Sequence, residues 1–312
     1  MANPAELVLG SVQLGLAYGA ANRTGKPSRH DALRLVRRAA EAGITKFDTA
    51  RAYGDSEERL GEALRGRKAV RTITKLSPLS ELAGDASRDA VRAAVEASVD
   101  ESLNALRREQ IDCLLLHRAA HMTAFDGAIW DRLVEMLEDG TILSLGVSVQ
   151  SPDETLEALS RADVRHIQLP FNVLDWRWRE SGVIDDILEH PNVTVHARSV
   201  FLQGILASED ASVWPAVGDV DAKHILDTLA RIACDFGRDN VADLCLAYAR
   251  GQEWIDGVVV GMETEAQLDD NLRLFVRPPL SAEDCAGIER RLPRVPTQLL
   301  NPALWPALRP KA

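Results

Sequence analysis

Hydrophobic and polar positions follow two patterns that alternate along the chain. Short apolar runs, such as the stretch Cys113–Leu116, have the continuous hydrophobicity of a strand that is buried on both faces. Longer amphipathic stretches lie between these runs. Residues 30–42, for example, place Leu33 and Val36 on one face of a predicted helix, and Gly43 ends it.

About eight strand-then-helix units follow one another in this way. The predicted strands cover residues 7–11, 44–48, 70–75, 111–117, 142–148, 166–169, 193–198 and 256–260. The predicted helices cover residues 30–42, 56–65, 88–107, 127–137, a segment that opens at Ser151, a segment around Asp185, and residues 221–236, 240–250 and 265–274. Such alternation predicts a parallel sheet with right-handed crossovers, and eight units most simply close into a barrel.

We therefore predict an α/β protein with a single (β/α)8 TIM barrel as one domain over residues 1–312, with a C-terminal tail from about residue 276. The alternative is an open doubly wound sheet, but its Gly-x-Gly-x-x-Gly signature does not follow the first strand. Local signals agree with the helix assignments. Ser151 is a predicted N-cap, Pro152 takes the first helical position, and Glu154 follows three residues after the cap.

Composition and charge narrow the functional classes. Hydrophobic residues make up 46% of the 312 residues, enough for a large core, and the net charge of −11 argues against nucleic acid and anionic membranes as partners. The four cysteines are far apart in sequence, which favours free thiols in a reducing compartment. With no predicted targeting or membrane segment, we expect a cytoplasmic protein that acts on a small molecule. The oligomeric state stays open.

Candidate catalytic residues stand at the ends of three consecutive predicted strands. Asp48 ends the second strand, Lys75 the third and His117 the fourth, and Tyr53 lies in the loop after Asp48. The carboxyl ends of barrel strands share one rim, where the active sites of this architecture lie. We therefore expect these four side chains to form one catalytic centre.

The chemistry of such a group is coherent. A free phenol has a pKa of about 10, so it is a weak acid near neutrality, and an adjacent ammonium favours its phenolate form. Asp48 would keep Lys75 charged in a partly buried site. His117 would donate a hydrogen bond to a substrate oxygen, and Tyr53 would give or take the proton as a hydride moves.

These residues resemble the aldo-keto reductase family. The matching segments are Phe-Asp-Thr-Ala-Arg-Ala-Tyr-Gly at 47–54, Thr-Lys at 74–75, Leu-Leu-His at 115–117, Gly-Val-Ser at 146–148, Gln-Leu-Pro-Phe-Asn at 168–172, Gly261 and Gln-Leu-Asp-Asp-Asn at 267–271. The similarity extends from about residue 7 to residue 274. It implies a (β/α)8 barrel that uses NAD(H) or NADP(H) without a metal, with Tyr53 as general acid/base, Lys75 and Asp48 tuning it, and His117 orienting the substrate.

The same resemblance implies a set of cofactor contacts. Ser148 and Gln168 match residues that hold the nicotinamide carboxamide, although Val149 stands where the family usually has Asn. Where many members stack a tyrosine on the nicotinamide, this chain has Arg198, whose planar guanidinium can lie against the ring. The predicted pyrophosphate contacts are Ser199, Leu202 and Gly204.

The adenosine end distinguishes NAD from NADP. Many members that prefer NADP carry Lys or Arg just after the last strand, whereas residues 261–265 here contain no basic side chain. Glu263 can accept hydrogen bonds from a free ribose 2′-hydroxyl and would repel a phosphate. Gln267 and Asn271 match positions that contact adenine, and Arg273 is a further basic residue within reach. We therefore expect NAD to be tolerated or preferred.

The sequence says less about the substrate and about competing functions than about the catalytic residues. The candidate substrate contacts are Tyr18, Arg51, Trp176, Trp178 and Trp214. The three tryptophans lie in predicted loops after the sixth and seventh strands, where they would either stack on a sugar face or pack in the wall or core of the barrel. The segment at 12–19 and the Arg-Ser pair at 198–199 resemble bacterial members linked to sugar metabolism, which favours a sugar or a sugar-derived aldehyde. Two other functions stay possible: a slow regulatory or sensor subunit that binds cofactor, and a barrel metal hydrolase. His117 and His121 lie in a predicted loop, which does not favour a zinc site.

Overall fold

The computed structural model describes residues 5–306, in which eight parallel strands close into a barrel in sequence order. The strands are β1 Glu6–Gly10, β2 Lys46–Asp48, β3 Arg71–Lys75, β4 Cys113–Leu116, β5 Leu145–Ser148, β6 Val164–Pro170, β7 Thr194–Arg198 and β8 Gly257–Gly261. Each strand pairs with the next, and β8 pairs with β1 from Glu6 opposite Gly257 to Gly10 opposite Gly261. The predicted (β/α)8 barrel is confirmed.

Helices follow the strands and form the outer layer. They are α1 Val12–Gly15, α2 Arg29–Glu41, α3 Ser56–Ala63, α4 Arg88–Leu106, α5 Ala128–Glu138, α6 Pro152–Leu159, α7 Arg177–Glu180, α8 Val183–Leu188, α9 Ala222–Asp235, α10 Val241–Arg250, α11 Glu265–Val276, α12 Ala282–Glu289 and α13 Thr297–Leu300. Short 3-10 turns occupy Ala119–Met122, Ala124–Gly127, Ile205–Ala207, Ala211–Val213 and Pro302–Leu304.

The structure also refines the predicted elements. The helices α1, α7 and α13 have four residues each, too few to give a helical period in the sequence. The predicted C-terminal tail contains α12 and α13, while residues 1–4 and 307–312 lie outside the described residues. At α6 the hydroxyl of Ser151 accepts a hydrogen bond from the Glu154 amide at 3.3 Å, as its predicted role as N-cap requires.

Apolar side chains fill both the barrel interior and the space between the strands and the helices. The interior cluster contains Val8, Ile73, Cys113 and Leu115, with Val259 packed against it. The larger cluster lies between the strands and the helical layer, and it includes the fully buried Phe47, Leu114 and Ile167. These two layers hold the strand ends, and thus the rim of the barrel, in fixed positions.

A pair of histidines also lies among the buried side chains. The rings of His166 on β6 and His196 on β7 meet edge to face, with centroids 4.2 Å apart. Gly257 on β8 makes room for them, because a Cβ there would stand 2.7 Å from the His196 Cδ2 atom. Burial lowers the pKa of His166 to about 3 and also lowers that of His196, with a smaller contribution from Lys46. Both rings are therefore neutral near pH 7.

Acid should destabilise the fold through this pair. A histidine whose pKa is depressed in the folded state is protonated first in the unfolded chain, so its contribution to stability is lost as pH falls from about 6.5 towards 3. The free energy of unfolding should fall from about pH 7 to about pH 5, and we expect this fall to be roughly 2 kcal/mol smaller in His166→Phe than in the unsubstituted protein. Urea titrations at both pH values measure this difference, with the exposed His224→Gln as control. Equal pH dependence in all three proteins would contradict it.

Within residues 5–306, no helix is both long and apolar enough to cross a membrane. In the same range, no three His, Cys, Asp or Glu side chains gather where one metal ion could bind them. The four cysteines are free thiols, of which three are buried and Cys234 is exposed.

Candidate active site

A buried ion pair connects the ends of β2 and β3. The Lys75 Nζ atom donates to both carboxylate oxygens of Asp48 at 2.8 Å and to the Thr49 carbonyl at 2.9 Å. Lys75 is 1% exposed and Asp48 is 4% exposed. Burial lowers the pKa of Lys75, but the charge and hydrogen bonds of Asp48 outweigh this effect, so the pKa is raised. The ammonium therefore stays charged inside the barrel rim.

Tyr53 and His117 complete the predicted cluster. The Lys75 Nζ atom is 5.0 Å from the Tyr53 ring centroid. The Tyr53 and His117 rings meet edge to face, with centroids 5.8 Å apart. Burial, followed by the charges of Lys75 and Arg198, lowers the pKa of His117 to about 3. The imidazole is therefore neutral at ordinary pH and carries one N–H that it can donate.

Two glycines allow the Tyr53 loop to adopt its position. A Cβ on Gly15 would stand 1.7 Å from the Tyr53 carbonyl oxygen. Gly54 has φ +58°, and a Cβ there would stand 2.6 Å from the Gly15 carbonyl oxygen. The loops after β1 and β2 thus meet backbone to backbone. The signal in the sequence is the pair Leu-Gly at 14–15 and Tyr-Gly at 53–54, which is weak in isolation.

Gln168 on β6 reaches across the barrel to the ion pair. Its Nε2 atom donates to the Asp48 Oδ2 atom at 2.7 Å. Its Oε1 atom is buried and accepts no hydrogen bond from the described residues. Ser148, which is 5% exposed, lies beside it in the β5–β6 register. An unpaired buried acceptor at this position fits the amide donor of a nicotinamide carboxamide.

The segment after β7 holds an arginine and several strained residues. The Arg198 Nη2 atom donates to the Val149 carbonyl at 3.1 Å, and its Nη1 atom to the Ser199 hydroxyl at 3.4 Å. Ser199, Leu202 and Gln203 have φ values of +62°, +46° and +56°, in the left-handed region that side chains disfavour. Strain of this kind concentrates at ligand-binding loops, which fits the predicted pyrophosphate contacts.

The loops after β1 and β7 touch each other over the same rim. The Ala21 amide donates to the Gln203 carbonyl at 3.3 Å, and Arg23 pairs with Asp210 at 2.7 Å. Gly204 has no side chain that could obstruct this contact, because a Cβ there would stand 2.9 Å from the Ala21 Cβ atom. The loop after β7, which carries the predicted pyrophosphate contacts, is therefore anchored at two points to the loop after β1.

The segment after β8 is organised by the start of α11. The Gln267 Oε1 atom accepts from the amides of Glu263 and Thr264 at 2.6 and 3.3 Å, which closes a capping box. This oxygen is therefore engaged in the helix cap rather than free for adenine. At Gly261 an ideal Cβ would stand 2.2–2.6 Å from the amide atoms of Gln13. The Gln13 side chain thus takes the space that a residue at 261 would need.

Basic side chains near this segment are already paired. Arg34 and Arg38 on α2 bind Glu265 at 2.7 and 2.8 Å. Arg273 binds Asp239 at 2.5 Å. Asn271, the other predicted adenine contact, is 8% exposed. The guanidinium of Arg273, the further basic residue noted in the sequence, is thus held by a carboxylate.

The structure contradicts the predicted substrate contact of Trp178. Its side chain has no exposed surface, and its indole nitrogen donates to the Asp175 carboxylate at 3.1 Å. Trp176 is engaged by the C-terminal segment instead. Its indole nitrogen donates to the Val295 carbonyl at 3.0 Å, and the Arg294 guanidinium lies 3.6 Å from its ring centroid. Periodicity could not reveal this contact, since the partners are more than a hundred residues apart.

Two further predicted substrate residues are engaged by other parts of the fold. Trp214 is 7% exposed and belongs to the hydrophobic core, so little of its ring is available for stacking on a sugar. The Arg51 guanidinium pairs with Glu57 and Glu101 between the loop after β2 and α4, rather than staying free for a substrate. Both side chains are held by the fold itself.

Tyr18 is the predicted substrate residue that lies beside the cluster. Burial around its hydroxyl raises its pKa, the neighbouring Tyr53 raises it further, and the charge of Arg198 opposes both effects. Its side chain is nevertheless 38% exposed. A ring that is open to solvent and close to Tyr53 is suitably placed to contact a substrate.

The sequence and fold of this chain match known oxidoreductases. L-glyceraldehyde 3-phosphate reductase of Escherichia coli O157:H7 is 24% identical over 288 residues, which cover 83% of this chain and 82% of that protein. L-galactose dehydrogenase of Arabidopsis thaliana is 25% identical over 261 residues, which cover 80% and 79%. The holo form of aldo-keto reductase AKR11C1 from Bacillus halodurans is similar in fold, with a TM-score of 0.74 at 24% identity over 94% of this chain and 93% of that one.

The family match extends over the whole barrel. The sequence pattern of the aldo/keto reductase family matches residues 6–292, from the start of β1 to beyond α12. That range includes all eight strands and the four clustered residues at their carboxyl ends. The chain therefore belongs to the aldo/keto reductase family, and it is an oxidoreductase by that membership.

Proposed function

We propose that this chain interconverts a carbonyl compound and its alcohol by hydride transfer with NAD(H) or NADP(H), and that Tyr53 is the general acid/base. The observation that carries the proposal is the convergence of Tyr53, His117 and the Lys75–Asp48 pair at one rim of the barrel. A phenol, a neutral imidazole and a charged amine are the groups that can protonate and orient a reacting oxygen.

Each side chain has a distinct task in this mechanism. A bound reduced nicotinamide supplies the hydride. His117 donates a hydrogen bond that orients the carbonyl, and Tyr53 gives its proton to the same oxygen. Lys75 stabilises negative charge on the phenol oxygen as the proton leaves, since its ammonium stays charged beside Asp48. In the oxidative direction Tyr53 takes the proton back.

The cofactor contacts belong to the same proposal. The free Oε1 atom of Gln168 and the hydroxyl of Ser148 would hold the nicotinamide carboxamide, and Arg198 would lie against the ring. The strained segment from Ser199 to Gly204 would hold the pyrophosphate. These assignments rest on the family resemblance and on the unpaired acceptor of Gln168.

The substrate class follows from the relatives and from the rim. The two relatives named above act, by their names, on a phosphorylated triose and on a hexose. We infer a sugar or sugar-derived carbonyl compound for this chain, with Tyr18 as a contact. A panel of sugars and small aldehydes, assayed with both reduced cofactors by loss of their absorbance, tests this function. Tight cofactor binding without turnover on any member of the panel would favour the regulatory subunit instead.

We further propose that NADH binds at least as tightly as NADPH. The segment after β8 presents Glu263 but no basic side chain, and Gln13 fills the space beside Gly261. Glu263→Lys should therefore tighten NADPH binding by about tenfold, whereas the dissociation constant of NADH should change little. Fluorescence titration of Glu263→Lys and of the unsubstituted protein with NADH and NADPH measures these dissociation constants. A tenfold preference of the unsubstituted protein for NADPH would contradict the proposal.

A further inference from the structure

The Tyr53 loop consists of residues 49–55 between β2 and α3, and three fully buried hydroxyls close its base. The Thr49 hydroxyl donates to the Ser56 hydroxyl at 3.0 Å, which lies 2.7 Å from the Ser11 hydroxyl. Ser11 in turn donates to the backbone carbonyl at the end of β2 at 2.7 Å. The two ends of the loop are therefore held together.

One carboxylate fixes the middle of this loop. Glu57, on α3, is 1% exposed and pairs with the Arg51 guanidinium. Its other oxygen accepts a hydrogen bond from the Thr74 hydroxyl at 2.6 Å. Arg51 belongs to the Tyr53 loop and Thr74 belongs to β3, so the two oxygens of Glu57 connect these two segments.

Each partner of Glu57 lies next to a proposed catalytic group. Arg51 is two residues before Tyr53, and Thr74 directly precedes Lys75. The Arg51 amide also donates to the Lys75 carbonyl at 3.2 Å. Successive residues of a strand point to opposite faces, so Thr74 faces the helices while Lys75 faces the barrel interior. Glu57 therefore lies behind the reacting groups, and it contacts neither substrate nor cofactor in the proposed mechanism.

The position of Glu57 in the first turn of α3 does not by itself explain why it is buried. A carboxylate in this turn interacts favourably with the helix dipole. Glu58 occupies the same turn and is exposed, so it can serve that purpose without leaving water. Burying a charged group is costly unless it is paired and hydrogen-bonded, as Glu57 is. Its contacts with Arg51 and Thr74 distinguish it from its neighbour.

We propose that Glu57 is a positioning residue that sets the distance between Tyr53 and Lys75. The Lys75 Nζ atom is 5.0 Å from the Tyr53 ring centroid. The attraction between the ammonium and a developing phenolate depends on their separation, and a displacement of about 1 Å can lower a rate by about 10²-fold. This inference rests on the proposed function and adds a residue to its mechanism.

Substitution of Glu57 tests the proposal on the complete protein. Glu57→Leu removes both contacts and should lower kcat by about 10–100-fold. KM and the dissociation constant of the reduced cofactor should stay within about twofold, because the proposed binding residues lie elsewhere. Glu57→Gln keeps the size of the side chain and one acceptor oxygen, so it should recover part of the lost kcat. Glu58→Gln is the matched control, and equal kcat in Glu57→Leu and Glu58→Gln would overturn the proposal.

Thr74→Val breaks the same connection on the side of β3. Valine keeps the shape of threonine but cannot donate to Glu57, so kcat should fall by about tenfold, and this variant supplies the test if Glu57→Leu does not fold. In a Tyr53→Phe background, either substitution should change the remaining rate by less than about twofold, since no phenol is left to position. An undiminished effect in that background would overturn the proposal.

Hydrogen exchange separates this inference from the proposed function, because it requires no turnover. In Glu57→Leu the amides of the Tyr53 loop should exchange about tenfold faster than in the unsubstituted protein, whereas those of α10 should not. Absence of turnover by the unsubstituted protein on every carbonyl compound of the panel would contradict the reductase function. Unchanged exchange of the Tyr53 loop would overturn the positioning role of Glu57, with or without turnover.

Discussion

Tyr53→Phe is expected to lower kcat by about 10²–10⁴-fold, the usual contribution of a positioned general acid. The substitution removes one hydroxyl and keeps the ring that packs 5.8 Å from His117. Since the proton transfer occurs in the transition state, kcat and kcat/KM should fall together. The dissociation constant of the reduced cofactor, measured by fluorescence, should stay within about twofold because the proposed cofactor contacts lie on other loops.

Tyr248→Phe provides the matched control. Tyr248 lies on α10, where its hydroxyl donates to Glu289 at 2.6 Å and accepts from Arg179 at 2.7 Å. Removing this hydroxyl should decrease the free energy of unfolding by about 1–3 kcal/mol and leave turnover nearly unchanged. If Tyr53→Phe instead retained near-normal turnover, another group would be the proton donor, and the mechanism proposed for this cluster would be wrong.

The sequence was sufficient to locate the candidate centre because its residues are fixed by strand ends. Asp48 and Lys75 are the last residues of β2 and β3, and His117 directly follows β4. In a parallel barrel, this position in each strand determines the rim on which a side chain lies. A local pattern, repeated on three consecutive strands, therefore predicted a contact between residues that are far apart in sequence.

Contacts that depend on tertiary packing could not be predicted in this way. Gln168 donates to Asp48 across the barrel, and nothing near either residue signals this hydrogen bond. The sequence placed Trp178 in a loop, but the fold buries it against Asp175 because a polar carboxylate can satisfy its indole nitrogen there.

Lys75→Met should impair both stability and catalysis. Methionine fills similar space, but the Lys75 side chain is 1% exposed, so the Asp48 carboxylate would stay buried without its ion-pair partner. The Gln168 amide would be its remaining side-chain donor. Removing one partner of a buried ion pair costs about 3–5 kcal/mol, which urea unfolding at neutral pH should detect. Turnover should also fall by about 10²-fold or more, because the phenol oxygen loses its neighbouring positive charge.

Adding Asp48→Asn to Lys75→Met separates these two effects. The amide of asparagine removes the unpaired charge, so the double variant should regain most of the lost free energy of unfolding. Turnover should stay as low as in Lys75→Met, since no ammonium stands beside the Tyr53 ring. Recovery of turnover together with stability would show that Lys75 acts by holding the rim in place, and it would remove this residue from the proposed proton transfer.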